Sequence, residues 1–271
     1  MNKTFVILFL IASLVPAANS QADHHGSKPA VENTCLTLGP QTPRDISNGI
    51  GTNSISFEMA PAASELNLCN IHTHTNAEHK GPGFSVFVNN SDTGGYACND
   101  TENLTAEELT NPYGTDAAYQ GVKPGDTIEV HWVHSSCDVA PGPGLGSCLT
   151  EACTNPKLRV EAQVFMVVND PNAHDFNNFD YGGVKDGVHQ ARSLPLSNDT
   201  VSFLGSTTGP SFNDMTCSPV QVTWNVEKSC KKVDIGSLHR WAAKGNRFEE
   251  TRSQGVRQLV TDPKQLSPIA E

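Results

Sequence analysis

The chain has 271 residues, 37% of them hydrophobic, and carries 29 Asp and Glu against 18 Lys and Arg, a formal charge of −11. So acidic a chain is not a nucleic-acid binder, which needs a basic face, and no apolar run approaches the roughly 20 residues that a membrane-spanning helix requires. About 250 residues beyond the N-terminal segment suffice for one large domain, or two small ones, with a sizeable core.

Lys3, the apolar stretch from Phe5 to Val15 and the small residues Ala17-Ala18-Asn19-Ser20 have the layout of a cleavable secretory signal over residues 1–20. Residues 21–34, polar and containing His24 and His25, read as a flexible leader, and residues 35–271 as a single catalytic domain, secreted or periplasmic. Eight cysteines, at 35, 69, 98, 137, 148, 153, 217 and 230, form an even set. In an exported chain the default reading is disulfides, and no CxxC pair favours a zinc–thiolate site instead. Their spacing does not choose among the possible pairings.

Strand signals dominate. Ile55–Phe57, Phe84–Val88, Thr127–Val133, Leu158–Val168 and Val220–Val226 are short runs rich in β-branched residues, separated by Gly, Pro, Asn and Asp clusters. Short helices are expected only at Thr105–Thr110, where Thr105 and Glu108 have capping-box spacing, and at Leu238–Lys244. Asp138–Asn155, with PGPGLG and two cysteines, and the polar stretch Asn169–Pro195 read as long loops. The expected fold is mostly β, a single large β-sheet domain with long loops and few short helices.

The chemistry concentrates in Cys69-Asn-Ile-His-Thr-His-Thr-Asn-Ala-Glu-His79. Residues two apart on a strand face the same way, so His72 and His74 offer two imidazoles to one metal ion. A second strand, Thr127-Ile-Glu-Val-His-Trp-Val-His134, puts Glu129, His131 and Val133 on one face and Val130, Trp132 and His134 on the other. His131 supplies a third nitrogen, and Glu129 is placed to accept its second N–H, the usual partner of a metal-bound histidine. Three histidines with an open fourth position make a catalytic zinc site. His79 and His134 read as packing residues.

These residues carry a family resemblance. HxH, then Glu-His, then Glu-x-His-x-Val-His resembles the zinc site of alpha-class carbonic anhydrases. Gln41-Thr-Pro-Arg-Asp-Ile46, Gly205-Ser-Thr-Thr-Gly-Pro210 and Val222-Thr-Trp224 resemble that family's segments in the same order. The wording between them, LCNIHTHTNAEHKGPGFS, KPGDTIEVHWVHSSC and NPKLRVEAQVFMVVND, is more similar to the delta class. The resemblance implies an alpha-carbonic-anhydrase-like architecture and a zinc enzyme that hydrates carbon dioxide reversibly to bicarbonate and a proton by zinc-bound hydroxide, with a small-molecule substrate and no nucleic-acid partner. Its ligands would be His72, His74 and His131, with Glu129 as the partner of His131. Thr207 would match the threonine that orients the hydroxide and Glu78 the glutamate behind it. One residue is missing from this loop, so Thr207 and Thr208 both remain open for that role. Val133, with Val164 or Val167, and Thr208 would line the substrate pocket, and Cys35 would be bridged to Cys217. The alpha-class shuttle histidine follows an Asn-Gly pair, whereas here Ser47-Asn48-Gly49 is followed by Ile50, which leaves His79, His134, the leader histidines or buffer itself to carry the proton.

Two rival readings keep the metal. In a cupin, His72, His74, Glu78 and His131 would all be ligands, and in a non-catalytic exported metal-binding protein a fourth protein ligand would close the site.

Overall fold

The computed structural model describes residues 34–89, 94–114, 116–209 and 211–269. The expected signal and leader lie outside the described residues, apart from Thr34. The described chain is mostly β, built on one mixed five-stranded sheet ordered β1-β4-β5-β9-β8. Its strands are β1 (Asn67–Thr75), β4 (Thr127–Ser135), β5 (Leu158–Val168), β8 (Thr200–Ser206) and β9 (Gln221–Asp234). β5 and β9 run parallel and the other neighbours antiparallel. Two ribbons flank the sheet, β2 (Val86–Phe87) with β3 (Tyr96–Ala97) and β6 (Tyr181–Lys185) with β7 (Val188–Ala191). One α-helix, α1 (Ile235–Ala243), follows β9 directly.

The sheet separates two apolar clusters, as strand alternation requires of a sheet covered on both faces. Ile71, Ile128, Val130, Trp132, Phe165 and Val167 point to one face, where Leu238 and Trp241 of α1 and the Phe176–Phe179 turn cover them. Val133, Val160, Ala162, Val164, Val222 and Trp224 point to the other. That second face carries His72, His74 and His131, so the candidate site is mounted on paired strands of the main sheet.

β5 has the expected bounds, whereas β9 runs eight residues beyond Val226. Ile55–Phe57 forms no strand, its side chains being largely exposed. Thr105 and Glu108 do exchange capping-box hydrogen bonds, at 2.9 and 3.2 Å, but over an exposed turn. The segment is largely exposed, so little apolar burial offsets the cost of helix nucleation. The polar stretch 169–195 is ordered by the β6–β7 hairpin. Its turn residues Asp186 and Gly187 both have positive φ, 50° and 89°, the Asp-Gly turn that matches strand twist.

All eight cysteines are paired, Cys35–Cys217, Cys69–Cys148, Cys98–Cys230 and Cys137–Cys153. Two of these bridges pin the 138–155 loop beside β1 and β4. Four disulfides are the pattern of a protein from an oxidising compartment. Among the described residues no helix is long and apolar enough to cross a membrane.

Candidate metal centre

β1 and β4 pair antiparallel with His72 directly opposite His131 and His74 opposite Glu129. Cross-strand neighbours on one face lie close enough for side-chain contact, and the three imidazole centroids are 5.1, 5.0 and 4.8 Å apart. One nitrogen of each ring lies within 4.8 Å of the others.

The other nitrogen of each ring is already engaged. His72 Nδ1 is 2.7 Å from Asn70 Oδ1, and the Asn70 amide is oriented by donating from Nδ2 to Gly142 O at 3.0 Å. His74 Nδ1 donates to Gly255 O at 3.0 Å and lies 3.3 Å from Glu78 Oε1. His131 Nε2 donates to Glu129 Oε1 at 3.0 Å. These acceptors require a hydrogen on each outer nitrogen. In the neutral rings the inward nitrogens, His72 Nε2, His74 Nε2 and His131 Nδ1, therefore present bare lone pairs. His72 Nε2 and His131 Nδ1 face each other at 3.2 Å, and the buried His74 Nε2 has no hydrogen-bond partner. Converging lone pairs repel unless a cation sits among them. Burial, aided for His72 and His131 by neighbouring imidazoles, lowers the pKa of all three histidines, which favours the neutral form a metal ion needs. The residues fit a zinc ion with three nitrogen ligands.

Beneath the histidines, Asn76 turns the chain out of β1. Its φ of 66° is a left-handed conformation that asparagine tolerates. The returning segment places Glu78 and His79 under Glu129. Glu129 Oε2 accepts the backbone N–H groups of Glu78 and His79 at 2.7 and 3.1 Å, and Oε1 lies 2.7 Å from His79 Nδ1. Burial by itself would raise the Glu129 pKa, but His79 and His131 outweigh it and hold the carboxyl well below its ordinary range. Glu129 is thus a buried anion with its oxygens occupied. Glu78 stands differently: burial raises its pKa, partly opposed by His131, and its Oε2 has no hydrogen-bond partner. Because Glu78 Oε1 faces the outer nitrogen of His74, Glu78 sits behind the histidines and not among their inward nitrogens.

The pocket in front of the histidines is lined by Val133, Leu158, Val160, Val222, Trp224, Thr207 and Thr208. Val164 does not line it. Val164 pairs with Glu129 in the β4–β5 register, while Val160, on the same face, pairs with Val133. Val164 thus lies four register pairs along the ladder from Val160, which lines the pocket. Thr207 lines the pocket, and its hydroxyl pairs with Ser218 Oγ at 2.6 Å while its N–H extends the sheet by donating to Val220 O. The Thr208 hydroxyl stands on the Glu78 side of the loop and favours the charged form of that carboxyl.

The loop carrying both threonines is held by the Gln41-Thr42 segment. Gln41 Oε1 accepts from Ser206 Oγ and Ser218 N at 3.2 and 3.0 Å, and Thr42 Oγ1 accepts from Ser206 N at 3.1 Å. Cys217, bridged to Cys35, immediately precedes Ser218. His79 and His134 are both buried but do not line the pocket. His79 packs against Trp224 at 4.9 Å, and His134 points to the opposite face of β4, with Nδ1 3.1 Å from Trp132 O.

The sequence reading missed one segment of the site. Residues 250–257 run beside the outer edge of β1, with Gln254 N donating to Thr73 O and Thr75 N to Gln254 O. From this segment Glu250 Oε1 accepts from Thr73 N at 3.2 Å, Gly255 O engages His74, and Arg257 N donates to Glu78 Oε1 at 3.4 Å. No periodicity marks it.

A family model of the delta carbonic anhydrases matches residues 63–237. Among solved structures, the alpha-carbonic anhydrase of Photobacterium profundum is 19% identical, with 81% of this chain and 86% of that chain covered and a TM-score of 0.27. The alpha-carbonic anhydrase of Thermovibrio ammonificans, in complex with the inhibitor sulfanilamide, is 15% identical over 81% of this chain and 87% of that chain, with a TM-score of 0.24. No curated protein matches the chain. The matched span covers well over half of the sequence and contains all three converging histidines, Glu78, Glu129 and the whole of β4, β5, β8 and β9, a placement that leaves the cupin reading without support: the chain belongs to the delta carbonic anhydrase family.

Proposed function

We propose that the chain is an exported zinc carbonic anhydrase that hydrates carbon dioxide reversibly, with residues 1–20 as its signal, 21–34 as a leader and 35–271 as the catalytic domain. The observation that carries this reading is the set of three inward imidazole nitrogens, each made bare by a hydrogen bond at the opposite side of its ring. His72, His74 and His131 would hold the zinc. When bound by three neutral ligands, zinc acts as a Lewis acid that brings the pKa of coordinated water to about 7, the value characteristic of carbonic anhydrases.

The chain's own groups do the rest. Glu129 fixes the His131 ring and strengthens it as a donor. Thr208, backed by Glu78, is the hydroxyl we assign to orient the attacking oxygen, in preference to Thr207, which is committed to Ser218. Val133, Leu158, Val160, Val222 and Trp224 give carbon dioxide an apolar wall. That wall weakens competition from ordered water and admits a small uncharged substrate. The four disulfides support export.

Metal content and stopped-flow hydration of carbon dioxide test the reading together. One zinc per chain with hydration activity is expected, and both should vanish in His72→Ala, His74→Ala and His131→Ala. Zinc bound without hydration activity would leave a metal-binding module and overturn the catalytic assignment.

A further inference from the structure

Hydration of carbon dioxide to bicarbonate releases one proton per turnover, and that proton has to leave the pocket. Among the described residues that line the pocket, one ionisable side chain stands beside the three histidines, and it is Glu250. Ile50 is exposed and, like His79 and His134, is absent from the lining. Glu250 is 9% exposed, and its Oε1 is anchored on β1 by Thr73 N at 3.2 Å and Thr73 Oγ1 at 3.3 Å. Thr73 lies between His72 and His74, so the anchor fixes Glu250 at the edge of the strand that carries two of the three histidines.

The backbone is fixed as well. Asn246 Nδ2 donates to Glu250 O at 2.8 Å, while Glu250 N donates to Asn246 Oδ1 at 3.0 Å. Gln254, which lines the pocket beside Glu250 and is exposed to solvent, hydrogen-bonds the carboxylate. Glu250 therefore stands between the pocket and bulk water.

We infer that Glu250 is the proton-transfer residue of this enzyme, carrying the proton of carbon dioxide hydration from pocket water to buffer. In the hydration direction its carboxylate takes a proton from a pocket water and becomes a carboxylic acid. It then loses that proton to a buffer base, which becomes the conjugate acid, and the carboxylate is restored. In dehydration the same transfers run backwards. Burial raises the Glu250 pKa to about 7, with the Thr73 and Gln254 hydrogen bonds opposing, which is where a group that must both accept and release protons near neutrality works best. The ionisable groups around it are the three histidines of the same pocket, neutral as zinc ligands, and Tyr119, whose hydroxyl bonds Thr73 Oγ1 and whose own pKa is raised by burial, so it stays neutral. Glu249 and Arg252, nearby in the chain, are exposed.

This inference rests on the carbonic anhydrase reading, and the experiment separates the two. Stopped-flow hydration is measured on zinc-loaded wild type, Glu250→Gln and Glu250→Asp at low buffer and at high imidazole. In Glu250→Gln at low buffer, kcat should fall about 10–100-fold, up to the low end of the effect of a positioned acid–base group. Its kcat/KM and zinc content should stay within about twofold of wild type, imidazole should restore kcat, and Glu250→Asp should retain part of it. The pH profile of kcat at low buffer should differ between wild type and Glu250→Gln, while the pH profile of kcat/KM should be the same in both. A Glu250→Gln enzyme with wild-type kcat at low buffer overturns the inference. So does parallel loss of kcat, kcat/KM and zinc without imidazole rescue, which marks a structural role. An inactive zinc-loaded wild type would instead overturn the preceding functional reading.

Discussion

Glu129 Oε1 accepts Nε2–H of His131 at 3.0 Å, on the side of the imidazole turned away from His72 and His74. The carboxylate is fully buried and also accepts from both backbone and side chain of His79, so it is rigid as well as charged. Glu129→Gln keeps the shape and weakens the acceptor. Zinc affinity should drop by roughly 10–100-fold with some turnover surviving at saturating zinc. Competition with a chromophoric chelator reads the affinity, and an unchanged value would remove Glu129 from its supporting role.

Glu78 and Thr208 should separate from the metal ligands in a different assay. Loss of one oriented hydrogen bond to a charged group, about 1.5–3 kcal/mol, corresponds to about 10–100-fold in rate. Glu78→Gln and Thr208→Val should each lose turnover by that order while keeping zinc. Thr207→Val, which removes only the pairing with Ser218, should lose less. If Thr207→Val proves the more damaging, the two threonines exchange roles.

The metal-binding half of the site is legible in the sequence because it is written in strand alternation. His72 with His74, and Glu129 with His131, are fixed to one face by a period of two that needs no tertiary information. What the period cannot supply is depth: Val160 and Val164 share a face, and only the β4–β5 register tells them apart. The missing residue before Thr207 blurs its phase in the same way. Glu250, Gly255 and Arg257 act across 177, 181 and 179 residues of sequence, from a segment held by its neighbours and by no pattern of its own. The β6–β7 hairpin had a local signal in Asp186-Gly187, masked by the polarity of the surrounding stretch.

The Cys35–Cys217 bridge spans 182 residues and adjoins Ser218, which holds Thr207. Replacing both cysteines by serine should cost about 2–5 kcal/mol of stability, more than short-loop bridges give in the chain-entropy account. It should also lower turnover before zinc is lost, because the loop carrying Thr208 loses an anchor while β1 and β4 keep theirs. Urea midpoints, zinc content and hydration rate on the same preparation test both parts. Loss of zinc in step with turnover would show that the bridge supports the metal strands and not the threonine loop.

His134 sets an acid limit on the fold that is independent of the metal. It is fully buried on the face of β4 opposite the three ligands, its Nε2 has no hydrogen-bond partner, and Arg159 is its cross-strand neighbour. Burial, with Arg159 adding to it and the Trp132 carbonyl opposing, lowers its pKa from 6.5 to about 4. Between these values the unfolded chain binds the proton and the folded chain does not, so stability rises with pH across this window. The contribution is complete above pH 6.5 and is lost as the pH falls towards 4, a total of about 3 kcal/mol at 1.36 kcal/mol per unit. His134→Leu has no proton to bind. Metal-free wild type should therefore lose about 2–3 kcal/mol more than metal-free His134→Leu between pH 7.5 and pH 4.5, read from urea denaturation at the two pH values. The variant, refolded with zinc at pH 7.5, should bind it as wild type does. Parallel pH dependence in the two proteins would show that His134 is already charged when buried, and loss of zinc from the variant would place it at the metal site after all.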